Sequence, residues 1–171
     1  VEHFVRACSQ IPSLFAAIAS LVQNSLDAGA TSIDIIVDTK NHDIEISDNG
    51  RGIPGSDLVT FVGTEWSSTS KSYDEHSVSR GRASGDSLSA ISHLSSEIEI
   101  ISLAAAAKVA YSKRYNIAPD GSIYNLKTGI AHLNRKRQGT FIRVIDFNSK
   151  CEVRRKAMKP KTELSLVENF I

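Results

Sequence analysis

The sequence has only two cysteines and almost no net charge, and each shortage excludes a class of protein. Cys8 and Cys151 stand far apart and form no CxxC pair. This excludes a disulfide framework and a zinc site, and it fits a reducing compartment. The formal net charge is +1, so no global field draws the chain toward nucleic acid or a membrane. No apolar run approaches membrane-span length, and the sequence contains no signal peptide.

The length of 171 residues suggests one domain, and 41% hydrophobic with 23% charged residues is typical of a globular protein. We expect this domain to cover residues 1–149. Residues 150–171 are a basic segment that would lead into a following domain. Because the chain begins with Val1 and ends in mid-pattern, we interpret it as a fragment of a longer protein.

Residues 13–28 carry the signals of a helix. Ser13 can cap its start, and Gly29 stands where a helix usually stops. Ser20 and Asn24 are one turn apart and share a face that the apolar stripe does not occupy. The stripe at helical spacing comprises Leu14, Ile18, Leu21, Val22 and Leu26.

The rest of the chain is typical of an α/β sandwich. Residues 33–38 and 44–48 flank turn residues and predict an antiparallel hairpin. Further strands are expected at 98–103, 108–115 and 140–146, with a short helix within 88–94. The intervening Gly/Ser-rich stretch, 50–89, is too long for an ordinary connection, so it is functional or disordered. This order predicts a mixed, mostly antiparallel sheet with helices on one face.

Asp48 shares strand parity with Ile44 and Ile46, so it points to the apolar face of the sheet. A carboxylate there is costly unless something pairs with it, and an amine-bearing ligand is one such partner. Gly50 and Gly52 follow, and glycines allow the backbone to approach a ligand closely. The alternative is that Asp48 caps an Asp-Asn-Gly turn, which this segment alone favours.

Asn24 and the Ser/Gly loop are two further candidate sites. Asn is mildly unfavourable inside a helix, but its carbonyl oxygen suits Mg²⁺. The alternative is an Asn that faces solvent. Residues 69–71 (Thr-Ser-Lys) and 81–88 offer hydroxyls, backbone N–H groups and an ammonium to phosphates. The alternative for this loop is a solvated, flexible segment.

The order of these features resembles the N-terminal ATPase domain of the MutL DNA mismatch-repair family, which has the Bergerat (GHKL) ATP-binding fold. The matching segments, in order, are LVQNSLDAGA at 21–30, DNGRGI at 48–53, TSK at 69–71, GDSL at 85–88, GT at 139–140 and VRRK at 153–156. Gln23, the Val-Gly pair at 62–63 and the VRRKAM run look most like the third eukaryotic MutL homologue, which acts in mismatch repair and meiotic recombination.

The resemblance implies ATP and Mg²⁺ as cofactors and a role for each matching residue. Asn24 would bind the metal, Asp48 would bind the adenine amine, and Thr140 would support it through water. Glycines and lid residues would shape the base pocket and reach the phosphates. The implied nucleotide-binding residues are Asn24, Ala28, Asp48, Gly50, Gly52, Ile53, Thr69, Ser70, Lys71, Gly85, Asp86, Ser87, Leu88 and Thr140.

One departure from the family concerns hydrolysis. The family has a general-base Glu one turn before the metal-binding Asn, whereas this chain has Ser20. A hydroxyl is no base near neutral pH without its own activator, and loss of a general base costs about 10²–10⁴-fold in rate. Asp27 is no obvious substitute, and residues 82–88 also depart from the family's Gly-Phe-Arg-Gly-Glu-Ala-Leu. No catalytic residue is therefore assigned, and we expect ATP binding with hydrolysis weak or lost.

Three hypotheses remain open: an ATPase with weak hydrolysis, a nucleotide-binding interaction or scaffold module of a MutL heterodimer without enzymatic activity, and, ranked low, a histidine-kinase-like catalytic domain. The resemblance implies a nuclear protein whose partners are another MutL homologue and MutS-type proteins, with no membrane. The basic residues Arg154, Arg155 and Lys156 are candidates for DNA phosphates. A solvated charged terminus is the alternative.

Overall fold

The computed structural model of the protein describes residues 2–60, 87–118, 120, 122–131 and 137–170. The helices are α1 (Glu2–Gln10), α2 (Leu14–Asp27), α3 (Gly55–Thr60), α4 (residues 87–94), α5 (Glu152–Ala157) and α6 (Pro160–Phe170). The strands are β1 (Ile33–Asp38), β2 (Asp43–Asp48), β3 (Glu97–Leu103), β4 (Tyr111–Ile117), β5 (Ile123–Ile130) and β6 (Gly139–Ile145).

The six strands form one sheet in the order β1-β2-β6-β3-β4-β5. All five strand pairings are antiparallel. Alternate residues of β2, β3, β4 and β6 are buried and pack with the helices in one core. The opposite face carries cross-strand ion pairs, Arg143–Glu45 at 2.8 Å and Arg114–Glu97 at 2.6 Å. The expected α/β sandwich with a mostly antiparallel sheet is confirmed.

Helix α2 forms where its local signals indicate. The Ser13 hydroxyl accepts a hydrogen bond from the Ala16 amide (3.1 Å) and caps the helix start. At the other end Gly29 adopts a φ of 74°, a left-handed conformation that suits glycine. Leu14, Ile18 and Leu21 are at most 1% exposed. Alpha-helical spacing therefore buries one face of α2 against the sheet and leaves Ser20 and Asn24 on a half-buried flank.

The structure differs from the sequence-based expectation in several strands and helices. The strand expected at 108–115 lies at Tyr111–Ile117, and helix α3 forms within the Gly/Ser-rich stretch 50–89. Strand β5 and helix α1 were not predicted. Residues 150–171 were expected to be a basic segment, whereas most of them form α5 and α6.

Residues 150–170 pack against α1 and α2. The Phe15 amide donates to Glu163 Oε2 (2.9 Å), and the rings of Phe15 and Phe170 meet edge to face with centroids 5.5 Å apart. Val167 is 6% exposed and belongs to the main core. The boundary expected at residue 149 stays a prediction.

Helix α4 is held on the sheet by polar contacts as well as apolar ones. The Ser92 and Tyr115 hydroxyls are 2.9 Å apart in the core, and burial raises the pKa of Tyr115 to about 12. The Lys150 ammonium donates to the His93 carbonyl (3.3 Å) at the end of α4. These contacts place the start of α4, with Leu88 buried, over the sheet.

No single helix in the described ranges is long and apolar enough to cross a membrane. Helix α1 from Phe4 and helix α2 meet that test only as a pair, by length and composition, with an 81° bend between them.

The buried Lys113 generates a prediction about stability and pH. Lys113 is 1% exposed, and burial lowers its pKa to about 8. Between about pH 8 and 10.5 the unfolded chain holds a proton that the folded chain has released, so stability rises with pH in this range. We expect Lys113→Met to reduce this rise without abolishing it, because burial also lowers the pKa of Lys150 to about 8.

The measurement is urea unfolding at a series of pH values from 7 to 10.5. Lys127→Met, which changes an exposed lysine on β5, is the matched control and should keep the parent's slope. Equal slopes for the parent and Lys113→Met would contradict the prediction.

Candidate functional site

Asp48 ends β2 on the inner face of the sheet and is 7% exposed, as its strand parity predicts. Its Oδ1 accepts hydrogen bonds from the backbone amides of Gly50 (2.9 Å) and Thr140 (3.1 Å). Its Oδ2 accepts from the Ser25 hydroxyl (3.0 Å). Asp48 therefore caps its own turn, as the alternative interpretation had it, and it also joins α2, β2 and β6 at one buried point.

The end of α2 lies against the loop that follows Asp48. The Arg51 amide donates to the Ala28 carbonyl (2.9 Å), and the Arg51 guanidinium donates to the Asp27 carbonyl (3.1 Å). A Cβ atom at Gly50 would stand 2.9 Å from the Ala28 Cβ. The sequence-predicted residues Ala28 and Gly50 are thus in contact, and no side chain fits at Gly50 unless one of them moves.

Asn24 lies one helical turn before Ala28, and Ser20 lies one turn earlier on the same flank of α2. Both side chains are half-buried. In the part of the chain that the structure describes, the Asn24 carboxamide makes no hydrogen bond. Its oxygen is therefore available to a ligand beside the Asp48 end of the site.

Gly52 brings the loop against β3. Its φ is 70°, and a Cβ atom there would stand 2.3 Å from the Leu103 carbonyl oxygen. The following amide, that of Ile53, donates to the Ser102 hydroxyl (2.7 Å). The loop backbone is therefore fixed between α2 on one side and the end of β3 on the other.

The start of β6 completes the site. Gly139 has a φ of 126°, and a Cβ atom there would stand 2.0 Å from the Asp48 carbonyl oxygen. Thr140 is 6% exposed, and its hydroxyl lies 3.0 Å from that of Ser102. The Gln138 carboxamide donates to the Gly50 carbonyl (2.9 Å). The loop after β2 and the start of β6 thus hold each other through side-chain and backbone contacts.

The sequence analysis missed Ser102, which is 1% exposed. In strand register Ser102 is opposite Thr140 on β6 and opposite Tyr111 on β4. With Asp48, whose Oδ1 binds the Thr140 amide, these residues form one row across four strands. The parity that singled out Asp48 could have found Ser102, because it shares the buried face of its strand with Ile98 and Ile100.

The remaining site residues expected from the sequence belong to the lid. Ser87 and the buried Leu88 begin the described part of α4. The phosphate-binding candidates Thr69, Ser70, Lys71, Gly85 and Asp86 lie outside the described residues.

The three cations proposed for DNA differ in their surroundings. The Arg154 guanidinium donates to the carbonyls of Ile11 (3.1 Å) and Cys8 (2.8 Å). Arg155 pairs with Asp146 near the end of β6. Lys156 is 76% exposed and pairs with Glu152, at 3.2 Å on its own helix. Of the three, Lys156 is the one that faces solvent.

Comparison with known proteins assigns the class. A family model described as histidine kinase-, DNA gyrase B- and HSP90-like ATPase matches residues 12–140, which include the whole Asp48 row. The chain therefore belongs to this ATPase family. Its sheet order and one-sided helices are those of the family's ATP-binding fold.

Within this family the similar proteins are MutL-type. The human DNA mismatch repair protein Mlh3 is 29% identical, in a match that covers all of this chain and 12% of the length of Mlh3. The human PMS1 protein homolog 1 is 28% identical, in a match that covers 94% of this chain and 17% of the relative's length. MutL of Aliivibrio fischeri is 32% identical over 90% of this chain and 23% of its length. The chain is thus an ATPase domain of the MutL-like type, and it spans less than a quarter of these relatives.

Solved structures agree with this assignment. One similar structure is the ATPase domain of Aquifex aeolicus MutL complexed with ADP, with a TM-score of 0.64 and 25% identity. The match covers 91% of this chain and 52% of the solved chain. The N-terminal domain of a DNA repair protein, at 23% identity, shares the fold with a TM-score of 0.67. That match covers 97% of this chain and 46% of the solved chain.

The contacts of Gly52 predict a large cost for a small side chain. Gly52→Ala would place a methyl group against the Leu103 carbonyl at a positive φ. We expect it to lower the free energy of unfolding by about 1–3 kcal/mol. Gly129→Ala on β5 is the control, since no heavy atom lies within 4 Å of its Cβ position, and its effect should stay within about 0.5 kcal/mol. Urea unfolding measures the free energy of unfolding of both variants. Equal losses for Gly52→Ala and Gly129→Ala would contradict the prediction.

Proposed function

We propose that this domain binds ATP together with Mg²⁺ and hydrolyses the nucleotide slowly or not at all. The observation that carries the proposal is the Asp48 carboxylate, buried at a point where Gly50, Gly52 and Gly139 leave no room for side chains. An acceptor-only group on the apolar face suits the exocyclic amine of adenine. A similar solved structure, the ATPase domain of Aquifex aeolicus MutL, is complexed with ADP, which supports nucleotide binding by this domain.

Asn24 is the proposed metal ligand. Mg²⁺ takes few protein ligands, prefers oxygen and keeps phosphate and water oxygens. The half-buried Asn24 carboxamide fits this demand, because no other group in the described residues uses it. When bound, Mg²⁺ would neutralise charge on the phosphates. Ala28, Gly50, Gly52 and Ile53 would shape the base pocket, with Thr140 beside Asp48.

The presence of serine at position 20 supports the proposal that hydrolysis is weak or lost. It lies one turn from Asn24 on the same flank of α2, where a water-activating carboxylate would have to stand. A serine hydroxyl does not take a proton from water near neutral pH. A second candidate function follows from the same residue: a nucleotide-binding interaction module of a MutL heterodimer that acts through its conformation or its partner. The two differ in whether a partner chain supplies the missing base.

For the whole protein we propose a role in DNA mismatch repair in the nucleus, with meiotic recombination as a further role. Its partners would be a second MutL homologue and MutS-type proteins. Similarity to mismatch-repair proteins of human and Arabidopsis thaliana supports this role. Contact with DNA phosphates would rest on Lys156, since Arg154 and Arg155 bind groups within the chain.

Removing the Asn24 carboxamide tests the metal site. We expect Asn24→Ala to weaken binding of a nonhydrolysable ATP analogue in the presence of Mg²⁺ by about tenfold and to have little effect in EDTA, because only the metal-dependent contact is lost. Isothermal titration calorimetry measures both. Gln23→Ala removes the neighbouring exposed amide and should bind as the parent does. Unchanged affinity of Asn24→Ala would exclude the ligand role, and no binding by the parent would remove the central claim.

Restoring a carboxylate tests the account of hydrolysis. We expect Ser20→Glu to raise steady-state phosphate release by about 10²–10⁴-fold, the usual contribution of a general base. Ser20→Gln, which has the same shape without a carboxylate, should stay at the parent's rate. If the parent already turns over as fast as Ser20→Glu, the interpretation of Ser20 is wrong.

A further inference from the structure

The Ser102 hydroxyl is the meeting point of the two glycine segments of the site. It accepts the Ile53 amide at 2.7 Å and lies 3.1 Å from the Gly139 carbonyl oxygen and 3.0 Å from the Thr140 hydroxyl. The side chain is 1% exposed, so water does not replace these partners. Every hydrogen-bonding capacity of Ser102 is therefore used inside the protein.

Counting protons leaves one arrangement in which all three contacts are hydrogen bonds. A serine hydroxyl has one proton and two lone pairs. In that arrangement the Ser102 proton goes to the Gly139 carbonyl, which can only accept. One lone pair takes the Ile53 N–H. The contact with Thr140 is then a hydrogen bond only if the Thr140 hydroxyl donates to the second lone pair of Ser102.

This direction fixes what Thr140 can offer to a ligand. With its proton held by Ser102, the Thr140 oxygen retains two lone pairs and no donor. Its neighbour in the row is the Asp48 carboxylate, which accepts the Thr140 amide and is itself an acceptor. Asp48 and Thr140 therefore present acceptors side by side, and the Thr140 hydroxyl has no proton left to turn toward a ligand.

We propose that Ser102 is a positioning residue that sets the base specificity of the site, by holding the Thr140 proton so that the pocket accepts an amine and rejects a carbonyl. This inference rests on the proposed nucleotide function. A base with an amine on carbon 6, such as adenine, finds acceptors there. A 6-oxo purine places its carbonyl oxygen against these acceptors. Unpaired or repelling polar groups in a buried site lower affinity strongly, so the site binds the 6-oxo base less tightly than adenine.

The experiment compares binding of ADP and IDP to the chain by calorimetry. The base of IDP carries a carbonyl on carbon 6 and a proton on N1 in place of the adenine amine. We expect the parent to prefer ADP. Ser102→Ala frees the Thr140 hydroxyl to donate to a carbonyl, so the ratio of Kd for IDP to Kd for ADP should fall about three- to tenfold, the size of one hydrogen bond. Ser102→Thr retains a hydroxyl and should keep most of the parent's ratio.

Two further variants separate specificity from folding. Ser95→Ala removes another buried hydroxyl, which donates to the Ile91 carbonyl of the preceding helix α4 (2.7 Å), and should leave the ratio unchanged. Thr140→Val conserves shape and deletes the oriented hydroxyl, so it should also lower the ratio even if Ser102→Ala fails to fold. Adding Thr140→Val to a folded Ser102→Ala should lower it little further, because the two act as a unit.

A purely structural role gives a different result. In that case Ser102→Ala weakens ADP and IDP by the same factor, the ratio stays constant, and the inference is overturned while the nucleotide site stands. If the parent binds neither ADP nor IDP, both the inference and the proposed function fail.

Discussion

The structure depends on the hydrogen bonding of one buried carboxylate, that of Asp48. Isolated in an apolar interior, such a group would cost several kcal/mol. Here donors come from α2 (Ser25), from the loop after β2 (Gly50) and from β6 (Thr140), and hydrogen bonds to an ionised acceptor are among the stronger ones. Because these segments are up to 92 residues apart from Asp48 in sequence, the carboxylate determines where they meet. The glycine at 139 follows from the same contact, since the Asp48 carbonyl occupies the place of its Cβ.

The site has two halves of different quality, and both lie along α2. Toward its C-terminal end, Ser25 and Ala28 contact Asp48 and the glycine loop, where we propose that the base binds. One and two turns before Ala28, on the same flank of the helix, lie Asn24 and Ser20. The Asn24 oxygen suits a metal ion, but the Ser20 hydroxyl cannot take a proton from water near neutral pH. Membership of the ATPase family accounts for the first half. It does not supply the carboxylate that the second half lacks.

The elements that could be predicted are those whose signals are local. Helix α2 has a cap, a stripe and a terminal glycine between Ser13 and Gly29, and β1 and β2 flank a turn, so their bounds were close to correct. Strand β5 carries no such pattern, because most of its side chains are exposed and it exists through pairing with β4. The residues of helices α5 and α6 were predicted to be a charged terminal segment, because α5 buries no residue and α6 buries only Val167. Their position depends on Glu163, Arg154 and Phe170 reaching α1 and α2.

The sequence by itself determined the inward direction of Asp48, the shared flank of Ser20 and Asn24, and the absence of a carboxylate at Ser20, because strand and helix periodicity decide which residues share a face. Only the tertiary structure decided what surrounds Asp48. The row through Thr140 and Ser102 exists because β6, the last strand in the chain, inserts between β2 and β3. That insertion is a long-range pairing, and no local pattern encodes the contacts that Ser102 makes there with Ile53, Gly139 and Thr140.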